Sequence, residues 1–274
     1  MSQGAVRMTF SVVVCHVDAP ERLLECLEAL RGQAGDVVVV DCSRDDPAPL
    51  VEARFPGVRV LRLGAVRTMP EMRAAGVRAV GGDVIGMLEA RSIPAADWAV
   101  RMTAAHERWP DAAVVGGSVA FPAGGSARDR GMYLAEYADF APPLAEGAAA
   151  RVSEANMSFK RAAFAGEGEW ESSLPLRRYV VDARVDFRHA GMPTVALCAQ
   201  RFFYGREYAA KRVRGWLRPL FILGAIPLPL LLTLRHWRRG PLGSLPWLVV
   251  FEKFWAAGEL VGYLFGSSPR RRVY

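Results

Sequence analysis

The first ninety residues constrain the fold most, because compact β-branched runs alternate there with segments of helical period. Phe10 to Cys15 (FSVVVC) is followed by Glu21 to Leu30, where Leu23, Leu24, Leu27 and Leu30 recur at helical spacing. Asp36 to Val40 (DVVVV) ends in Asp41 and precedes a short helix near Leu50 to Arg54 and a strand at Val58 to Leu63. A helix at Pro70 to Val80 then leads through Gly81-Gly82 into a strand at Asp83 to Leu88. This order, without hairpin turns, predicts an α/β fold in which helices flank a mostly parallel sheet.

Ligands on such sheets sit at the carboxyl ends of the strands. Those ends carry Cys15 to Asp18, Asp41 to Asp46 and Glu89 to Arg91, three polar clusters on one edge. The turn after the first strand reads CHVDAPER, with neither GxGxxG nor GxxxxGK[ST]. That excludes dinucleotide-binding and P-loop chemistry, both of which need glycine for close backbone approach to phosphate. Recognition falls instead to side chains, above all the Asp41 carboxylate, with His16 and Asp18 beside it and Arg73 reaching from the third helix.

The net charge of +7 is unevenly placed: from Arg201 onward thirteen Lys/Arg stand against three Glu, and the remainder is acidic. The basic tail also carries the apolar runs Pro219 to Leu234 and Leu245 to Phe265, separated and closed by arginines. Basic residues beside apolar segments suit the cytoplasmic face of a membrane, the inner or plasma membrane, better than nucleic acid, since the aromatics interleave with aliphatics. The first run is broken by Pro227 and Pro229, and the second contains Glu252, Lys253 and Glu259, so a helical hairpin dipping into one leaflet is expected rather than a span. A division at residues 1–212 and 213–274 follows. Four cysteines without CxxC spacing and four scattered histidines predict neither a disulfide framework nor a zinc site. The short, mixed segment from Met1 to Met8 does not read as a secretory signal.

Several segments resemble the family-2 glycosyltransferases of the GT-A fold, in matching order over most of the chain. FSVVVCHVDAPERLLECLEAL resembles their opening strand, loop and helix, and VVVVDCSRDD their second strand ending in a nucleotide-binding Asp. PEMRAAGVRAVGGDVIGMLEARSIPAADW resembles the stretch leading to their acidic metal motif, SEANMSFKR the acceptor-side segment and EWE the catalytic-base region. QRFFYGREYAAKR and AAGELVGYLFG resemble the membrane-proximal tail of envelope-glycan members.

The resemblance implies a nucleotide-sugar donor, a glycan or lipid-linked acceptor, and a divalent cation, Mg²⁺ or Mn²⁺, held by a pair of acids. Here the triplet is Glu89-Ala90-Arg91, with one carboxylate and an arginine beside it. Either Glu89 holds the metal, or Arg91 pairs with the diphosphate in its place, or the two pair with each other and no diphosphate is handled. Glu171 best matches the base that deprotonates the acceptor in an inverting transfer, with Glu169 and Asp182 as competitors. A binding protein that has lost transfer and a nucleotidyltransferase on a similar sheet are the rival functions.

Overall fold

The computed structural model describes residues 8–64, 67–164, 177–189, 191–212 and 218–267. The chain divides into two compact units, one formed by residues 1–120 and 140–187, the other by 121–139 and 188–272.

In the first unit β1 (Phe10–His16), α1 (Pro20–Leu30), β2 (Asp36–Asp41), α2 (Ala48–Arg54), β3 (Val58–Arg62), α3 (Met69–Ala79) and β4 (Val84–Glu89) follow one another as the alternation predicts. Then come β5 (Ser92–Pro94), α4 (Trp98–Arg108), β6 (Val114–Gly116) and β7 (Val119–Ala120). The second unit's α5 (Ala127–Tyr137) intervenes before β8 (Gly147–Ala148), β9 (Asn156–Lys160), β10 (Arg178–Val180) and β11 (Val185–Phe187).

The main sheet has eight strands in the order β3-β2-β1-β4-β9-β6-β10-β8, and a small sheet joins β5, β11 and β7. Strands β3, β2, β1 and β4 are parallel, β9 runs antiparallel between β4 and β6, and β6 and β10 are again parallel to each other. The mostly parallel α/β sheet is therefore as expected. What the sequence concealed is β9: its polar-looking SEANMSFKR segment is a strand buried on both faces. Met157 and Phe159 enter a core with Val13, Val40, Met72 and Met87. On the opposite face Asn156 accepts from Trp98 Nε1 at 2.8 Å and donates to the carbonyls of Ser118 and Ala183.

Helix α3 begins with a reciprocal cap, Thr68 accepting from the Glu71 amide while the Glu71 carboxylate accepts from the Thr68 amide. Its small residues let it lie against β1 and β2; a Cβ on Gly76 would overlap the Val13 side chain. This close seat turns Arg73, on the same face as Met72 and Val77, into the interior.

The second unit is helical: α5, α6 (Thr194–Arg212), α7 (Arg218–Ala225), α8 (Leu228–His236) and α9 (Leu245–Phe265). Helices α6 and α9 meet backbone to backbone, since a Cβ on Gly258 would overlap the Phe202 carbonyl and one on Gly205 the Trp255 carbonyl. The expected boundary at Arg212 falls at the end of α6, which packs along α9.

The two glutamates inside α9 have partners in this bundle. Glu252 is buried and accepts from Arg201 at 3.1 Å, while that guanidinium lies 4.4 Å from the centre of the Trp255 ring. Burial pushes the Glu252 carboxyl up even with Arg201 beside it. Glu259 accepts from Trp255 Nε1 at 2.6 Å and from the Tyr263 hydroxyl at 2.9 Å. Removing one member of a buried pair strands the other, at a cost of about 3–5 kcal/mol. Glu252→Ala is accordingly expected to lower the unfolding free energy of the second unit by that order, read as a fall in its denaturant midpoint, and a midpoint unchanged from the native chain would show the pair to be idle.

Candidate functional site

The parallel register brings three strand ends together. His16 of β1 stands opposite Asp41 of β2, and Cys15 stands opposite Glu89 of β4. Each side chain emerges where a hydrophobic run stops, so the same valines that build the core set the depth of the polar edge.

Asp41 and His16 are both almost fully buried. The Ala19 amide donates to His16 Nε2, so the proton of the neutral ring resides on Nδ1, which donates to Asp41 Oδ1 at 2.8 Å. The Ser43 hydroxyl donates to the same oxygen at 2.6 Å. Asp41 Oδ2 lies 3.2 Å from Arg62 Nε without the alignment of a hydrogen bond. Asp41 thus organises the floor of the site from within.

Asp18 is exposed and takes φ of 45°, a left-handed conformation that few side chains adopt. Its amide donates to the Ser43 hydroxyl at 2.8 Å, and its carboxylate accepts from the Arg44 amide at 2.9 Å. The loops after β1 and β2 are therefore stitched to each other.

Glu89 ends β4, and Ala90 and Arg91 form the tight turn into β5. Arg73 is buried, with Nη2 3.2 Å from Glu89 Oε1 and Nη1 paired with Glu154. Burial alone would lower its pKa, but the charges of Glu154 and Glu89 hold it above the ordinary arginine value. Cys15, beside Glu89, has its thiol pushed up to about 12 by burial. Among the described residues no three His, Cys, Asp or Glu side chains converge as a metal cage.

The structure therefore gathers Asp41, His16, Asp18, Glu89, Arg73 and Arg91 at one sheet edge. Glu171 and Glu169 lie outside the described residues, and Asp182 is exposed just after β10. Sequence reasoning did not single out Glu154, Ser43 or Arg62. Their link to the site is a ladder contact or a neighbouring loop, and local periodicity carries no trace of either.

Residues 11–164, more than half of the chain, match the model of Glycosyl transferase family 2. The chain belongs to that family. No curated protein matches it by sequence.

Among solved structures, a mannosyltransferase from Pyrobaculum calidifontis, PcManGT, in complex with GDP-Man and Mn²⁺, is similar at TM-score 0.58 and 15% identity, over 95% of this chain and 88% of that one. GalNAc-T7, with UDP, GalNAc and Mn²⁺, is similar at TM-score 0.53 and 13% identity over 79% of this chain. The match covers 53% of GalNAc-T7, so this chain spans about half the length of that protein. At these identities the likeness is one of fold.

Removing the carboxylate of Asp41 takes away the shared acceptor of His16 and Ser43. Asp41→Ala is expected to destabilise the ligand-free protein by about 1.5–3 kcal/mol, the range for hydrogen bonds to a charged group. Equilibrium urea unfolding measures it, and an unaltered unfolding curve would refute the organising role of Asp41.

Proposed function

We propose that this chain is a glycosyltransferase that moves a sugar from a nucleoside-diphosphate sugar to a cell-envelope or lipid-linked acceptor at the cytoplasmic face of a membrane. The observation that carries the reading is the polar edge of Asp41, His16 and Glu89 at three adjacent strand ends, within the segment that matches the family.

A divalent cation fits the chemistry of this edge. Glu89 offers a hard carboxylate that retains a quarter of its side-chain exposure. Cations of the Mg²⁺ type are commonly held by one or two carboxylates plus the phosphates of the substrate, so a cage of three protein ligands is not required. When bound, such a cation neutralises the charge developing on the leaving diphosphate. Arg91, in the turn next to Glu89, adds a guanidinium suited to the same phosphates. Asp41 and His16 build the floor under the nucleotide, and Asp18 with the Ser43 loop frames its rim.

In the transfer the acceptor hydroxyl oxygen forms a bond to the anomeric carbon as the bond from that carbon to the diphosphate breaks. The hydroxyl proton passes to a carboxylate, which we assign to Glu171, and the nucleoside diphosphate leaves with the electron pair of the broken bond. Attack opposite the leaving group inverts the anomeric centre.

Transfer is tested with a panel of UDP- and GDP-sugars, Mn²⁺ and envelope-lipid acceptors. Turnover is expected from the native chain, and its loss with retained donor binding from Glu171→Gln, which removes the proton acceptor and keeps the shape. Donor binding without any turnover would favour a binding protein, a reading supported by Ala90 at the position of the second acid.

The membrane part of the proposal rests on α7 and α8. Leu220, Leu223, Ile226, Leu230, Leu231 and Leu234 are each more than half exposed, an apolar row beyond what water-facing helices usually carry. Among the described residues no single helix is long and apolar enough to cross a bilayer, and Pro219–Ala225 and Leu228–Arg239 meet at a 55° bend. Arg235, Arg238 and Arg239 follow at the end of the row, where anionic headgroups would meet them.

The full-length protein is expected to float with vesicles containing phosphatidylglycerol and to stay bound in about 1 M salt, where the Debye length falls to about 3 Å. Leu230→Lys with Leu231→Lys should release it. Flotation unaffected by that pair would disprove this attachment surface.

A further inference from the structure

The turn Glu89-Ala90-Arg91 lacks a second acid, yet the sheet brings one to the same place. Strands β4 and β9 are antiparallel with Leu88 opposite Asn156 and Met87 opposite Met157. Past that pair both chains turn, at Ala90-Arg91 and at Glu154-Ala155, where the Asn156 amide donates to the Ser153 carbonyl. The Ser92 hydroxyl donates to the Ala155 carbonyl at 2.9 Å, so the two chain segments stay together past the end of the ladder.

Arg73 ties the arrangement from below. Its side chain is 3% exposed, whereas Glu89 keeps 25% and Glu154 48% of their side-chain exposure. One guanidinium therefore holds two carboxylates at its two ends while both acids retain surface toward solvent, and its buried Nε has no hydrogen-bond partner. The cluster of two acids and this one buried base keeps a net charge of −1. A hydrophobic residue at position 73 would leave the two carboxylates repelling each other; the arginine bridges them and fixes their spacing.

We propose that Glu154 is the second carboxylate of the cation and diphosphate site, supplied by the turn before β9 in place of an acid at position 90, and that Arg73 is the positioning residue that holds it beside Glu89. The inference rests on the glycosyltransferase reading and deepens it. It makes the site a joint product of two segments about 65 residues apart, consistent with the preference of Mg²⁺-type cations for one or two carboxylates and substrate phosphates.

The test is calorimetric titration of the full chain with UDP, and in parallel GDP, each with and without Mn²⁺, backed by the Mn²⁺ electron paramagnetic resonance signal. The native chain is expected to bind the nucleotide at least tenfold more tightly with Mn²⁺. Glu154→Gln should erase that gain, as Glu89→Gln does, without weakening metal-free nucleotide binding, and abolish the shift of the Mn²⁺ signal to its bound form. Glu154→Asp should keep part of the gain.

The inference is overturned if Glu154→Gln keeps the full Mn²⁺ gain, or if it lowers affinity equally with and without metal, as a merely structural residue would. Native protein that binds nucleotide with no Mn²⁺ gain overturns this inference and leaves the functional reading standing. Native protein that binds neither nucleotide in either condition overturns both.

Discussion

The antiparallel insertion of β9 is the constraint on which the first unit depends. Without it β4 would be the edge of a four-stranded parallel sheet, and β6, β10 and β8 would have no link to that sheet. Its five residues meet this demand on both faces. Met157 and Phe159 complete one apolar layer, while Asn156 and Ser158 hydrogen-bond to Trp98 and His106 on the other. A buried amide with every partner in place specifies register more sharply than another valine would, because a slip by one residue would leave it unpaired. The turn just before β9 brings Glu154 to Arg73, which also meets Glu89 at the end of β4.

The two units handle buried charge in a common way. In each, an arginine is placed in the interior and given acids that arrive from another element: Arg73 of α3 with Glu89 and Glu154, Arg201 of α6 with Glu252. Such pairs contribute less to net stability than a well-packed apolar replacement often does, but breaking one is costly. They favour one packing over its neighbours. In the helical unit this explains how α9, mean-apolar over twenty-one residues, carries two glutamates: Glu252 and Glu259 are turned to Arg201, Trp255 and Tyr263.

Much of the fold was legible because its signals are local. The alternation from Phe10 to Glu89 yields β1 to β4 and their helices, with boundaries displaced by only a residue or two, since β1, β2 and β4 are apolar runs buried on both faces and β3 alternates Val with Arg at the sheet edge. The strand ends Asp41 and Glu89 were legible for the same reason. β9 was not, because Asn156, Ser158 and Lys160 look solvent-facing until their partners are known. Glu154 was invisible for a related reason: its relation to Glu89 exists only through Arg73, which both meet in the fold. The partner of Glu252, Arg201, stands 51 residues earlier. A glutamate's environment is a property of the packed pair, and sequence presents only half of it.

The left-handed Asp18 has a consequence for binding. Holding a non-glycine residue in that region costs on the order of 1–2 kcal/mol, here offset by its bonds with Ser43 and Arg44. That expense is met during folding, before any ligand arrives. Whatever settles over these strand ends finds two loops already joined and need not surrender part of its contact energy to order them. The rim behaves as a fixed template, and selectivity among ligands then comes from shape, since a molecule that does not match has no pliant loop to accommodate it.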